Sequence, residues 1–142
     1  MSARLTKFGF TLIELLVVIS IIGILAVLVM ANLNSARSRA RDAVRKSDLK
    51  NIQTALRLYY NDNGRYPETS PPFGDKWEAG STVYMSKVPQ DTLPDQTYKY
   101  TVDATDKDLY TLSACLENDS DKQGVPKSEI TCSGDLMFQV KP

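Results

Sequence analysis

An unbroken apolar run occupies the beginning of the chain. Residues 15–31 contain no charged side chain, and between Phe10 and Leu15 the only charged residue is Glu14. A helix over residues 10–31 is about 33 Å long at about 1.5 Å per residue, which is enough to cross a bilayer core of roughly 30 Å. The pattern predicts a transmembrane helix that begins near Phe10.

The helical pattern continues beyond the apolar run. No proline occurs between Phe10 and Tyr60, and Gly23 is the only glycine there. Asn63 or Gly64 can take the left-handed cap conformation, and Pro67 cannot continue a helix. Two stripes with helical spacing lie on different faces of the second half of this helix. The first stripe is small, and we interpret it as a surface for close helix packing: Leu33, Ala36, Ala40, Ala43, Val44 and Ser47. The second is bulky, and we interpret it as the seat of a globular head: Leu49, Ile52, Ala55, Leu56, Tyr59 and Tyr60.

The remaining residues predict a small antiparallel sheet after a long loop. Residues 68–97 are rich in proline and glycine, and we expect this segment to include one short helix. Its apolar residues are expected to pin the loop to the core: Trp77, Val83, Tyr84, Met85 and Val88. Strands are predicted at residues 97–102, 109–115 and 135–140. The fold class is therefore α+β, with a long N-terminal helix, transmembrane in its first half, packed on this sheet.

A net charge of zero hides a strong asymmetry. Residues 32–60 carry seven basic and two acidic side chains, net +5, whereas residues 61–142 carry eight basic and fourteen acidic ones, net −6. The basic side chains between Arg37 and Arg57 fall all around the helix, with no aromatic residue among them. We therefore favour a solvated or inter-subunit role, in which this segment meets the acidic heads of neighbours, over a nucleic-acid-binding face.

Catalysis is not predicted. The chain has no histidine, which removes the commonest general base and metal ligand. It also lacks a nucleophile motif and a glycine-rich phosphate loop, so the sequence offers no set of residues from which to build an active site.

The acid inside the apolar run needs a partner. A carboxylate at the centre of a bilayer costs about 2.5–3.5 kcal/mol on insertion scales. If the chain is cut after Gly9, the new amino group of Phe10 is a cation at the N-terminal end of the helix, close to Glu14. An amine is therefore the partner that the sequence suggests for this carboxylate.

Residues 9–14, Gly-Phe-Thr-Leu-Ile-Glu, follow a leader with Arg4 and Lys7 and resemble the class III prepilin leader of type IV pilins and type II secretion pseudopilins. The resemblance implies cleavage between Gly9 and Phe10 by a prepilin peptidase, N-methylation of Phe10, and subunit docking through Glu14 and the Phe10 amine. It also implies a helical homo-oligomeric filament, assembled from the lipid bilayer by an inner-membrane platform and motor.

These expectations divide the chain into four parts. Residues 1–9 are the leader peptide, 10–31 the transmembrane and assembly half of the helix, 32–63 its extramembrane half, and 64–142 the head with a C-terminal disulfide loop. An ordinary secretory signal cleaved at Val29-Met30-Ala31 and a plain membrane anchor are the alternatives. In each case the basic leader is cytoplasmic.

Two cysteines, Cys115 and Cys132, lie in the part expected outside the cell membrane. Paired cysteines are the rule in exported domains, so a disulfide is predicted, with two buried free thiols as the alternative. Closing this loop stabilises the fold by roughly 3 kcal/mol in the chain-entropy description.

The segment after Cys115 begins like a calcium loop. Glu117, Asp119 and Asp121 alternate with polar residues, and Gly124 is sixth when Asp119 is counted as first. The twelfth position is Ile130 rather than an acid. A solvated acidic loop is the favoured interpretation. Calcium is the alternative, because the resemblance includes pseudopilins that bind calcium in this part of the head; no other cofactor is expected.

The resemblance implies a structural function. We expect a pilin of a type IV pilus-like extracellular filament, held in the bacterial inner membrane by a single span with its head outside before assembly. One alternative is a major pseudopilin of a periplasmic pseudopilus that drives protein export. The other is a minor pilin that binds surfaces or DNA. The Tyr-rich helix end, followed by residues 63–67, Asn-Gly-Arg-Tyr-Pro, favours the pseudopilin, whereas the disulfide favours the pilus.

Overall fold

The computed structural model describes residues 9–126, 132 and 134–142. The described residues form one helix and six strands: α1 (Leu12–Asn63), β1 (Trp77–Ala79), β2 (Thr82–Met85), β3 (Lys99–Val102), β4 (Tyr110–Cys115), β5 (Val125–Pro126) and β6 (Leu136–Val140). The chain divides into two compact units, with the boundary between Ala36 and Arg37. This α+β composition, with a long N-terminal helix and antiparallel strands, confirms the predicted fold class.

The first unit contains the apolar part of α1. Every large apolar side chain from Phe10 to Met30 is exposed, from 45% at Val18 to 79% at Phe10. The mean hydropathy reaches 3.1 in an 18-residue window, so α1 is a candidate membrane span by length and composition. The hydroxyl of Ser20 donates to the carbonyl oxygen of Leu16 at 2.8 Å, which satisfies a polar group inside the apolar run.

The second unit packs the rest of α1 against a four-stranded antiparallel sheet. Its strand order is β3-β4-β6-β5, and Leu112 in β4 is opposite both Tyr100 in β3 and Val140 in β6. The bulky stripe of the helix lies in the core, where Leu49, Ile52 and Leu56 are completely buried. The three predicted strands and the predicted seat of the head are therefore confirmed, with strand bounds that differ by one or two residues.

A single glycine ends the helix. Gly64 has φ of +67°, the left-handed conformation that L side chains disfavour, and its N–H donates to the carbonyl oxygen of Tyr60 at 2.8 Å. The side-chain amide of Asn63 donates to the carbonyl oxygen of Tyr59 at 2.9 Å. The predicted cap is thus confirmed, and Gly64 is the residue that adopts it.

The loop between the helix and the sheet differs from the prediction. Residues 68–97 contain the hairpin β1–β2 where one short helix was expected. Gly80 opens its two-residue turn with φ of +61°, as glycine does in type II′ turns, which match the twist of paired strands. Trp77 and Val88 are buried as predicted, but Val83 is 46% exposed because it lies on the solvent side of this hairpin.

Replacing Leu56 by alanine should lower the free energy of unfolding by about 2–5 kcal/mol, because a buried side chain is lost from a close-packed core. Leu58→Ala is the matched control: it makes the same change one half-turn away, where the side chain is 51% exposed, and should stay within about 0.5 kcal/mol. Urea unfolding of the full-length chain in detergent, followed by Trp77 fluorescence, measures both. Equal losses from the two variants would contradict this description of the core.

Candidate functional site

The N-terminus of α1 is closed by a reciprocal pair of polar side chains. The backbone N–H of Thr11 donates to Glu14 Oε2 at 2.9 Å, and the N–H of Glu14 donates to Thr11 Oγ1 at 3.3 Å. The Thr11 hydroxyl also donates to Glu14 Oε2, at 2.6 Å. This arrangement is a capping box, in which Thr11 is the N-cap and the acid three residues later returns to it.

The predicted docking group, Glu14, is part of this capping box. Glu14 lies beside the start of its own helix, where backbone N–H groups and the helix dipole favour a negative charge. Phe10 precedes the cap and is 79% exposed, and Gly9 has open space around its α-carbon. The three residues predicted for cleavage, methylation and docking are therefore all exposed within the six residues from Gly9 to Glu14, while residues 1–8 of the leader lie outside the described part.

A second polar site lies in the part of α1 that packs on the sheet. Arg45 is 1% exposed and its guanidinium binds three carboxylates. Its Nε and Nη2 donate to the two oxygens of Asp91 at 2.7 and 2.9 Å. Its Nη1 donates to Asp42 at 2.8 Å and to Glu117 at 2.7 Å. Each carboxylate comes from a different segment: α1 itself, the loop before β3, and the loop after β4.

Neighbouring groups complete this arrangement. Arg41 adds a second guanidinium to Glu117, with Nε to Oε1 at 2.8 Å. The backbone N–H groups of Glu117 and Asn118 donate to the carboxylate of Asp42, at 3.0 and 2.9 Å. The N–H of Leu93 donates to Asp91 at 2.9 Å. We call the five charged residues the Arg45 cluster: Arg41, Asp42, Arg45, Asp91 and Glu117.

The electrostatics of the cluster favour the charged forms of Glu117 and Arg45. Hydrogen bonds from Arg41, followed by those from Arg45, lower the pKa of Glu117 to about 2. Burial alone would lower the pKa of Arg45, but its hydrogen bonds to Asp91, Glu117 and Asp42 outweigh burial and raise it. Close by, burial raises the pKa of Asp48, whose carboxylate accepts a hydrogen bond from the Tyr98 hydroxyl at 2.8 Å.

A third cation fastens the next part of the same loop. Lys46 Nζ lies 2.5 Å from Asp121 Oδ2 and 3.0 Å from Gln123 Oε1, and it is 5.5 Å from the centre of the Phe138 ring. The interaction with Lys46 lowers the pKa of Asp121. Residues 117–123 are thus held to α1 at several points.

These contacts correct the prediction for the basic stretch. We expected the basic side chains of residues 37–57 to be solvated or to meet neighbouring subunits, whereas Arg41, Arg45 and Lys46 pair with acids of their own chain. The prediction was wrong for these three because each pairs with at least one acid that lies 46 to 76 residues away, beyond any local spacing. The other four are exposed, as expected: Arg37, Arg39, Lys50 and Arg57.

The predicted disulfide is present, and it borders this loop. Cys115, the last residue of β4, is bonded to Cys132, with their α-carbons 5.4 Å apart. The bond therefore joins the middle strand of the predicted sheet to the segment that leads into β6.

The acids considered for calcium do not fit a calcium ion in this arrangement. Glu117 faces Arg41 and Arg45, and Asp121 faces Lys46. Asp119 accepts a hydrogen bond from the backbone N–H of Asp135 at 3.1 Å. Within the described ranges no group of three or more acidic, histidine or cysteine side chains could hold a metal ion, and Ile130 lies outside those ranges.

Comparison with known proteins identifies the family. Residues 4–30 match the family described as the prokaryotic N-terminal methylation motif. Residues 30–131, well over half of the chain, match the family described as type II secretion system (T2SS), protein G. The chain belongs to the T2SS protein G family.

The individual proteins that this chain resembles are consistent with the T2SS protein G family. A type II secretion system core protein G of Pseudomonas aeruginosa is 37% identical over 125 residues, which cover 78% of this chain and 86% of that protein. Its Escherichia coli K12 counterpart is 45% identical over 62 residues, 44% of this chain and 43% of that protein. The type IV major pilin protein PilA of Myxococcus xanthus is 36% identical over 73 residues, 51% of this chain and 33% of that protein. No solved structure matches the chain.

The stability of this protein G family member should fall in acid through Glu117. Its carboxyl pKa is lowered from 4.5 to about 2, so its contribution is complete above about pH 4.5 and is lost as the pH falls toward 2. Glu117→Gln should therefore be less stable than the unchanged chain at pH 7, by on the order of 3 kcal/mol.

The difference between the two proteins should shrink as the pH falls from about 4.5 to 2. Urea unfolding at a series of pH values measures it, and the effect of Asp48 cancels because both proteins contain that residue. A gap that stays constant with pH would contradict the assignment of the charge interaction to Glu117.

Proposed function

We propose that this chain is a pseudopilin, a structural subunit of the filament that a type II secretion system assembles to drive protein export. In this proposal the chain is made with a leader, anchored in the inner membrane by residues 10–31, processed by a prepilin peptidase, and drawn into a helical homopolymer by an assembly platform and motor. The head, residues 64–142, is then on the periplasmic side.

The observation that carries the structural role is the position of Glu14. It is the only charged side chain in residues 9–31, and the apolar side chains around it are exposed. A carboxylate in such a segment is costly in a bilayer, so a function is the default expectation. The proposed function is to bind the methylated amine of Phe10 on an adjacent subunit, in an apolar surrounding where screening is weak.

The small stripe of α1 supports packing between subunits. The residues of this stripe from Leu33 to Ser47 are exposed in the single chain, with Leu33 and Val44 at 43% and 44%. Alanine and serine allow helices to approach closely. We propose that this surface packs on the helices of neighbouring subunits in the filament.

The match to a secretion protein covers more of this chain than the match to a pilin, which favours a role in secretion. The match to the Pseudomonas aeruginosa protein extends over 78% of this chain, compared with 51% for the pilin of Myxococcus xanthus. A type IV pilus subunit is the second candidate, favoured by that pilin and by the Cys115–Cys132 disulfide. Deleting the gene discriminates between the two. Exported enzymes trapped in the periplasm support the pseudopilin, and loss of surface filaments with normal export supports the pilin.

Processing gives the first functional prediction. The mature protein should begin at N-methylated Phe10, and Gly9→Leu should leave the precursor uncut. Gly23→Leu is the matched control, because the structure has open space at both glycines and the substitution is the same. Mass spectrometry of the purified proteins measures the terminus. A mature protein that begins at Met1 or Asn32 would contradict the proposed leader.

The second functional prediction concerns filament assembly. Glu14→Val should insert into the membrane at least as well as the unchanged chain, because it removes the insertion cost of a carboxylate, which reaches about 2.5–3.5 kcal/mol at a helix centre and is smaller at the helix end where Glu14 lies. It should still be cleaved but should yield no filaments. Glu14→Gln keeps an acceptor for the Thr11 cap without the charge and should also fail, whereas Glu14→Asp should be partly defective because its reach is shorter.

Filaments sheared from cells and pelleted give the yield, with the membrane level of each variant for normalisation and Ile13→Val as a neutral control. A normal yield from Glu14→Val would exclude the carboxylate as the docking group. A plain membrane-anchored domain would then be the remaining interpretation.

A further inference from the structure

The loop after β4 begins like a calcium-binding sequence, but its acids bind basic side chains of α1. Acids alternate at Glu117, Asp119 and Asp121, a spacing that in calcium loops places carboxylate oxygens around one ion. Here the first of these carboxylates is bound by Arg41 and Arg45 and the third by Lys46. The positive charge that such a loop requires is already present in α1.

The loop acids point to separate partners instead of a common centre. Glu117 uses both oxygens on guanidinium groups, Asp119 Oδ1 accepts the N–H of Asp135, and Asp121 uses Oδ2 on Lys46 and Oδ1 on the N–H of Gln123. A calcium ion takes six to eight oxygen ligands. To recruit Glu117 and Asp121 it would first have to displace charge-assisted hydrogen bonds, which are about twice as strong as neutral ones.

The basic side chains that bind the loop acids also have partners outside the loop. Arg45 is fixed by Asp42 and by both oxygens of Asp91. Lys46 is restrained by Gln123 and by the face of the Phe138 ring. These partners reduce the side-chain entropy that ordinarily makes surface ion pairs weak. The side chains of Lys46 and Asp121 are each 17% exposed, so their attraction is only partly screened.

The start of the loop is also fixed without a metal. The carboxylate of Asp42 accepts the N–H groups of Glu117 and Asn118, and the Asn118 side chain accepts the N–H of Ser120. The carbonyl oxygen of Asn118 accepts the N–H of Asp121, and that of Asp121 accepts the N–H of Gly124. The backbone of residues 117–124 is thus ordered by hydrogen bonds that a calcium loop would in part replace with ligand bonds.

We propose that Arg41, Arg45 and Lys46 act as built-in cations that take the place of a calcium ion in holding residues 117–124 to the fold. The loop of this chain is therefore folded and docked independently of divalent metal. This inference concerns the chain itself and holds for a pseudopilin or a pilin alike.

The test compares thermal unfolding of the full-length chain in detergent with EDTA, with calcium at about 10 mM, roughly ten times the weakest dissociation constant of extracellular calcium modules, and with magnesium at the same concentration as the control for ionic strength. Trp77 fluorescence and near-ultraviolet circular dichroism follow the head. The unchanged chain should have the same Tm in all three solutions. A Tm that falls in EDTA and recovers with calcium would overturn the proposal.

Removing the built-in cations should create a response to calcium. Arg41→Gln combined with Lys46→Gln frees carboxylates of the loop while keeping the buried Arg45. This variant should lose about 5 °C or more in Tm, and calcium but not magnesium should restore part of the loss. Lys50→Gln with Arg57→Gln is the matched control, because it removes the same charge from exposed positions of the same helix.

Lys46→Gln alone provides a milder variant if the double variant does not fold, since Lys46 lies at the edge of the arrangement. A cation-depleted variant that is as stable as the matched control, or one that calcium leaves unchanged, would overturn the proposed substitution of side chains for metal.

Discussion

One buried cation connects three segments of the unit that begins at Arg37. Arg45 joins carboxylates of its own helix, of the loop before β3 and of the loop after β4. A buried charge left without partners costs several kcal/mol, so these contacts have to form together. A guanidinium presents its N–H donors in fixed directions. The carboxylates of the two loops must therefore lie in those directions to bind Arg45. The apolar core packs the helix on the sheet, and the Arg45 cluster adds polar links from the helix to the two loops beside the sheet.

Helix α1 serves two environments because its sequence changes character along its length. From Leu12 to Met30 its apolar side chains cover every face and are exposed, which suits a lipid solvent that makes contact all around. After Arg37 the apolar side chains narrow to a stripe that is buried under the sheet, and ionic side chains occupy the adjoining positions. No proline or glycine separates residues 24–63, so the backbone carries both patterns in one continuous helix.

The parts of the structure that were predicted from sequence are those with a local signal. Short runs of strand-forming residues predicted β3, β4 and β6 to within two residues, and the glycine after Asn63 predicted the end of the helix. The β1–β2 hairpin was missed because its strands contain three and four residues, too few for a clear alternation. The Arg45 cluster was missed because two of its carboxylates lie 46 and 72 residues from Arg45. The Thr11–Glu14 capping box, in contrast, has a readable signature, a threonine followed three residues later by glutamate.

That capping box determines how much free energy the proposed docking of Glu14 can contribute. In the single chain the carboxylate already accepts two hydrogen bonds from Thr11 and faces the helix N-terminus, so it does not enter the membrane as an unsolvated ion. The proposed docking would therefore gain only the difference in free energy between the contact with a neighbour's amine and the contact with this internal cap. Both donors of Thr11 are neutral, whereas the amine adds a full charge in surroundings where attraction is strong. In the proposed docking, the internal cap lowers the cost of holding Glu14 in the membrane, and the charge of the neighbour's amine makes the exchange favourable.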